Sequence, residues 1–391
     1  MSLAPILAAV TAAIVGCGGS IAIVLGAAEA LHATPTDTAS WITAICWAIA
    51  ASTLVLSVRY KLPIITAWST PGAALIAASA VAPGSNLDMH SAVGAFIVAA
   101  LLILSASIAA PLLRLIERIP TPVAAGMLAG ILLRLVMLPF ESIPSAPWLI
   151  VPLLALFVVA RRVSPASSVI AVLIAGVVLS WALGLSKPLP ALEIAHPVWI
   201  APRFDIGVII GLAVPLFLVT MASQNLAGLA VLRASGYETV PARSILAVTG
   251  FTALLSAPFG AHTSNLAAIS AAICTGPDAH IDTKQRWLTG PPYAMCYLLF
   301  GLFGPSLVAL FASLPPPLIK TVAGVALAGP LVNALSTAFS GTGDRFAQGV
   351  TFAVTASGVT LFGIGGAFWG LLAGLVVTGL DRPKSQPEAS N

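Results

Sequence analysis

Charge is what this chain has least of. Asp, Glu, Lys and Arg make up 8% of its 391 residues, against about 25% in a soluble domain. Hydrophobic residues reach 59% and the mean hydropathy is +1.03. No soluble fold of this length hides so much apolar surface, so lipid is the solvent for most of the chain. Cysteine is scarce as well. Cys17, Cys46, Cys274 and Cys296 all lie in apolar runs and form no CxxC pair. That excludes a disulfide framework or a thiolate metal cluster and makes them small packing residues. The GxxxxGK[ST] motif is missing, so ATP-driven transport by this chain alone is excluded. The net charge of +4 comes from basic residues spread thinly among loops, not from the clustered face that nucleic acid requires.

What is present is a series of long uncharged runs. Intervals such as 38–58, 89–113, 206–232, 244–277 and 346–380 hold no charged residue, and a helix needs about 20 apolar residues to cross the hydrocarbon. The run from Ala4 to Ala28 lacks a basic leader and exceeds a signal-peptide core, so it reads as the first span. Fourteen segments with a cytoplasmic amino terminus put 13 of the 17 Lys and Arg inside, among them Arg59, Lys61, Arg114, Arg118, Arg161, Arg162, Arg382 and Lys384. Only Lys187, Arg203 and Lys320 fall outside, and Arg134 lies within a span. Such an asymmetry is what the positive-inside rule asks of a correct count.

The two halves of the chain resemble each other. LPIITAWSTPGAALI (62–76) lines up with APFGAHTSNLAAISA (257–271), and the same offset of 195 sets 119–122 on 314–317. Seven segments per half is an odd number, so the second copy starts from the opposite face. The expectation is an all-α membrane protein built as two inverted repeats of seven, the plan of many secondary transporters.

Ser-Thr-Pro-Gly (69–72) sits in the middle of an uncharged stretch that should be one span, yet it is a helix start. Thr70 suits a cap and Pro71 the first helical position. The Pro-led, β-branched LPIITAW before it favours extended chain. Segment 3 is therefore expected to be a short strand followed by a half-helix. Segment 10 should match it, with Thr263, Ser264 or Asn265 as the cap. A proline kink in an ordinary span would explain either stretch alone; the matched pair favours two half-helix N-termini meeting near the midplane. Such ends suit an anion, and broken backbone at that depth survives only where protein or a cavity covers it.

Segment 8 carries Ser223, Gln224 and Asn225 in mid-span, where amides must face a cavity or act as interhelical glue. Trp68 offers a ring to an aromatic ligand or to packing. The candidates for handling a proton are His262, at the second break, and Glu29, which ends the first span or simply reaches the surface. Arg134 has no acidic partner nearby in sequence. It is left with snorkelling, a place at a domain boundary, or attraction of an anion. The loop CTGPDAHIDTKQR (274–286) lacks a third convergent ligand and is no metal site. Gly363, Gly365 and Gly366 lack the βαβ context of a dinucleotide site and read as close helix packing.

The stretches TAWSTPGAAL, PLFLVTMASQN with the following Gly236-Tyr237, and TASGVTLFGIGGAFWGLLAG (355–374) resemble the benzoate:proton symporter (BenE) family of bacterial inner membranes, over essentially the whole chain. The resemblance implies uptake of benzoate or a related aromatic carboxylate, driven by protons, with no cofactor. It also implies the seven-plus-seven architecture of uracil symporters. A core domain would then hold segments 1–4 and 8–11 (1–118 and 205–312), and a gate domain segments 5–7 and 12–14 (119–204 and 313–381). A cytoplasmic tail (382–391) would follow, and a homodimer through the gate is allowed by analogy. Carried over by motif, the substrate site comprises Trp68, Ser69, Thr70, Gly72, Ser223, Gln224, Asn225, Thr263, Ser264 and Asn265. The nucleobase relatives have acidic residues in segments 8 and 10, and this chain has none there. A neutral, amide-lined pocket suits a carboxylate better than uracil, and the proton carrier stays unassigned. The rival expectations are a transporter or exchanger of another small anion or nucleobase, and a passive anion channel. An enzyme is not expected, since no nucleophile–base pair is present.

Overall fold

The computed structural model describes residues 3–109, 120–164, 168–188, 191–340, 345–362 and 364–380. Arg114, Arg118, Gly363, Arg382 and Lys384, the tail 382–391 and the expected boundary between 118 and 119 lie outside them. The first span runs from Ala4 to Ala30 but breaks at Gly19–Ser20 into α1 (Ala4–Gly18) and α2 (Ile21–Ala30). Helix α3 (Pro35–Tyr60) opens on a capping box in which Thr34 and Asp37 satisfy each other's backbone N–H. Next come β1 (Thr66–Trp68) and α4 (Thr70–Ala80). Asp88 and Ser91 form a second capping box at the start of α5 (Met89–Ile108). The first half closes with α6 (Thr121–Ser142), α7 (Pro147–Val163) and α8 (Ser168–Ala182).

In the second half, α9 (Ile206–Ala234) carries two π-helical stretches, Ile209–Ala213 and Thr220–Asn225. After it come α10 (Ala242–Ser256), β2 (Ser264–Leu266) and α11 (Ile269–Thr275). Helix α12 (Gly290–Leu302) meets α13 (Gly304–Ala312) at a 64° bend. The chain ends in α14 (Pro316–Phe339), α15 (Phe346–Ser357) and α16 (Gly366–Leu380). Among the described residues, seven helices are long and apolar enough to cross a membrane, or eight with the bent pair as one. The expectation of fourteen segments therefore rests on shorter and broken pieces, α4, α8 and α16 among them.

Helix α6 packs along α14 and α15, α15 along α16, and α7 and α8 against each other and α14. Elsewhere α3 packs on α10, α12 and α13, α5 on α10, α2 on α4, and α1 on α11 and α12. The two sets touch where α4 meets α6, α2 meets α14, and the first π stretch of α9 meets α16. Small residues let the backbones close up there, since no side chain intervenes: a Cβ on Gly211 would come within 2.7 Å of Gly365 N. Within the first set, one on Gly126 would come within 2.7 Å of the Gln348 carbonyl. Large apolar side chains such as Val151, Val158, Val163, Ile174, Val178 and Trp181 stay exposed on α7 and α8, as lipid-facing helices require.

Strands β1 and β2 pair antiparallel, with Thr66 opposite Leu266, Ala67 opposite Asn265 and Trp68 opposite Ser264. Equivalent strands of two copies with opposite sense meet in this way. They begin 198 positions apart, at Thr66 and Ser264, so the structural register is three residues longer than the sequence offset of 195. The shift moves the second cap. Ser264 and Asn265 lie in the strand with Thr263 just before it, and α11 starts after Ala268 with no side-chain cap. At the first break the cap is Ser69, whose Oγ accepts from Gly72 N at 3.0 Å. Thr70 and Pro71 are the first two helical residues instead.

Candidate substrate site at the strand crossing

A three-residue strand inside a membrane domain needs partners for every backbone group. The chain supplies them with hydroxyls. Thr66 Oγ1 lies 2.8 Å from Ser52 Oγ and 2.7 Å from Thr53 Oγ1, and Thr53 also accepts from Thr66 N. Beyond the strand ends, Ser69 N donates to the Thr263 carbonyl at 3.1 Å and Ala267 N to that of Ile65 at 2.9 Å. Because the strands are antiparallel, α4 and α11 leave the crossing in opposite directions. Their N-terminal ends, the positive ends of the peptide dipoles, stay beside it.

The crossing gathers most of the expected site residues. Ser69, Thr263, Ser264 and Asn265 are fully buried. Thr220 of α9 joins them, its hydroxyl 2.9 Å from Thr263 Oγ1 and 3.3 Å from Ser69 Oγ. Asn225, buried, accepts from Leu266 N through Oδ1 at 3.1 Å and so fastens α9 to β2. Ser223 and Gln224 are half-buried on the same π stretch. Ser223 bonds back to the Val219 carbonyl, while the Gln224 amide has no hydrogen bond among the described residues. A π stretch widens the helix and is frequent at functional sites. Gly72 lets α9 approach, since a Cβ there would meet the Leu216 side chain at 2.7 Å.

Trp68 is buried and donates from Nε1 to Ser20 Oγ at 2.8 Å. Ser20 in turn donates to the Gly16 carbonyl at 2.7 Å across the break in the first span. The indole also meets Tyr297 edge-on, 6.0 Å between centroids. His262 sits at 1% exposure with both ring nitrogens engaged. Trp41 Nε1 lies 3.0 Å from Nδ1, and the Ser69 carbonyl 3.1 Å from Nε2. An indole N–H can only donate, so Nδ1 accepts, and Nε2 carries the proton and donates to Ser69. The imidazole is thus neutral and ties the first break to the second. Glu29 is not brought to this place; it is exposed at the end of α2.

Sequence reasoning missed Thr220, Trp41 and Ser20. Thr220 lies one turn before the Ser-Gln-Asn triplet, and the Gly-Gly-Ser at 18–20 is itself a helix-break signal. Nothing in the chain order places Trp41 on a histidine 221 residues away.

The BenE profile, described as benzoate membrane transport protein, matches residues 1–380. This chain belongs to the BenE family. It is 41% identical over 376 residues to the inner membrane protein YdcO of Escherichia coli, covering 94% of this chain and 93% of that one. The benzoate membrane transport protein of Acinetobacter baylyi is 36% identical over 376 residues, covering 96% and 94%. Among solved structures, the transmembrane domain of the cyanobacterial bicarbonate transporter BicA superposes with a TM-score of 0.59 at 16% identity, covering 96% of this chain and 98% of that one. SLC26A9 gives 0.60 at 13% identity, covering 95% and 64%. At those identities the likeness establishes the fold alone. With its apolar helices and its family, this BenE-family chain is a multi-pass membrane transporter and not an enzyme.

Proposed function

We propose that this BenE-family protein takes up benzoate or a related small aromatic carboxylate across the bacterial inner membrane, coupled to inward movement of protons. The observation that carries the proposal is the pairing of β1 with β2, which turns two half-helix starts toward one buried polar crossing. The site draws on Trp68, Ser69, Thr70, Gly72, Ser223, Gln224, Asn225, Thr263, Ser264 and Asn265. In this set Gln224 and Thr70, both half-buried and unbonded among the described residues, have donors to spare for a carboxylate. Transport proceeds by an elevator-like displacement of a core (1–118 and 205–312) against a gate (119–204 and 313–381), with both termini cytoplasmic and the gate available for self-association.

The linker before α9, which that division counts with the gate, is bonded to the core and would travel with it. Its backbone is held across the core, with Val198 N on Ser40 Oγ, Ile200 N on the Pro258 carbonyl and Arg203 N on the His90 carbonyl. Of the two coupling candidates, His262 has the consequence that coupling needs and Glu29 does not. A proton placed on Nδ1 removes the acceptor that Trp41 uses, so protonation alters the contact between the two breaks.

The test is uptake of radiolabelled benzoate into proteoliposomes with and without an imposed inward proton gradient. Accumulation above equilibrium only with the gradient supports symport, and His262→Gln should then abolish accumulation while leaving benzoate exchange. Accumulation by His262→Gln at the wild-type level would remove the histidine from coupling. Uptake that ignores the gradient would favour an exchanger or a passive channel. The fold shared with a bicarbonate transporter makes bicarbonate the second cargo to assay.

A further inference from the structure

Arg134 is a cation within a lipid-spanning helix, and none of the described residues answers its charge. Among the described residues it makes no ion pair, and its Nη1 is buried without a hydrogen-bond partner. Among the described residues four buried side-chain polar atoms share that condition, and three of them lie along the α6–α15 contact and the turn that follows α15: Arg134 Nη1, Thr355 Oγ1 and Thr360 Oγ1. The fourth, Asn265 Oδ1, belongs to the strand crossing.

The placement follows from the helix period. Gly126, Gly130 and Arg134 fall four residues apart on α6 and form one stripe against α15. A Cβ on Gly130 would come within 2.7 Å of Thr355 Cβ, and one on Gly358 would overlap the Arg134 guanidinium. Gly358 has φ +65 and ends α15, so the chain turns away and leaves room for the guanidinium. A structural cap would show the guanidinium bonded to the last carbonyls of α15, and no such bond exists among the described residues. Two residues beyond Gly358, Thr360 lines a cavity of about 160 Å³ that Ser79, Gly211, Arg203 and Asp205 also border. The cavity lies where α4 and α9 meet the α15–α16 turn, the contact between the proposed core and gate, at the end that charge asymmetry makes periplasmic.

A guanidinium keeps its charge at every biological pH, and an unpaired charge in a membrane domain is a liability unless something transient neutralises it. We infer that Arg134, with the Thr360 hydroxyl, forms a gate-side anion subsite that takes the carboxylate group of the cargo beside this cavity, separate from the strand crossing. Arg134 supplies charge and donors and Thr360 a further hydroxyl donor, whereas the Thr355 hydroxyl faces Gly370 of α16 and takes no part. The inference rests on the cargo being an anion, as proposed above.

The test is benzoate uptake by the full-length protein in proteoliposomes, comparing Arg134→Gln, Arg134→Lys and Thr360→Val with the wild type. Losing a charge-assisted hydrogen bond should raise the benzoate KM about tenfold or more for Arg134→Gln. Arg134→Lys keeps the charge and should recover part of that loss, which a merely steric role would not produce. Thr360→Val, conservative in shape, should raise KM by severalfold with little change in maximal rate. It covers the case in which Arg134→Gln does not fold. Unchanged KM in Thr360→Val together with unchanged KM in any folded Arg134→Gln overturns the subsite. Absence of benzoate uptake by the wild type would instead strike the substrate proposal. The same variants would then be read by chloride and bicarbonate flux, where wild-type behaviour of all three again overturns the subsite.

Discussion

Asn225 is the residue through which α9 holds the strand crossing, and removing it gives the sharpest test of the site's construction. Its Oδ1 accepts the buried Leu266 N–H at 3.1 Å, and both residues are 1% exposed. Asn225→Leu keeps similar volume and deletes the acceptor, so the N–H is left unpaired away from water. A stranded buried donor costs about 1–3 kcal/mol. Asn225→Ala adds a small cavity to the same loss. Both variants should therefore melt below the wild type in detergent, with Asn225→Ala at least as low as Asn225→Leu. If binding must re-form the crossing, part of that energy is taken from affinity, at tenfold in KM for each 1.4 kcal/mol. Thermal unfolding of the purified protein and benzoate uptake in proteoliposomes read the two effects separately. Wild-type melting of Asn225→Leu would refute the claim that this bond holds β2. A lowered melting point with unchanged KM would leave the bond structural and move the substrate away from α9.

Three further outcomes follow from the same geometry. Gly211→Val should bias the protein toward separation of α9 from α16, because a side chain there would strike the Ile364–Gly365 backbone; faster thiol labelling of a cysteine placed at Ser79 would report it, and unchanged labelling would count against the contact as a gate. Arg286 is buried and donates to the Thr275 carbonyl at the end of α11 and to the His280 carbonyl in the loop beyond it, so Arg286→Gln should lower the melting temperature by loosening that half-helix, and no shift would mean the cap is idle. Burial opposes the charge on Asp88, yet bonds from the Ser91 backbone and hydroxyl, with Arg203 at 2.9 Å, outweigh it and hold the carboxyl below its ordinary value. A depressed carboxylate stabilises above its unfolded value of about 3.9 and stops doing so as pH falls through the folded one. The stability gap between wild type and Asp88→Asn should thus be constant from pH 5 to 8 and close only below about pH 4; a gap that closes near neutrality would contradict the assignment.

Much of this protein was legible in the chain itself. The scarcity of charge fixes lipid as the solvent, since no other medium tolerates that surface. Ser-Thr-Pro-Gly announces a half-helix in mid-membrane because capping chemistry and proline's missing N–H act within four residues. The likeness of residues 62–76 to 257–271 exposes a second broken segment, though only to within three residues, because Ala- and Gly-rich helices carry little register information. Tertiary structure decided what depends on distance across the chain. Thr263, Ser264 and Asn265 look like a cap when read alone, but pairing with Thr66–Trp68 draws the last two into a strand and leaves α11 uncapped. Only folding sets Trp41 on His262, Thr220 between Ser69 and Thr263, and Asn225 on Leu266. Those contacts span 41 to 221 residues, and local propensity has no reach at that range. The unanswered charge of Arg134 is likewise a fact of packing: the sequence shows an arginine in a span, and only the neighbouring helices show that, among the described residues, none brings a counter-charge.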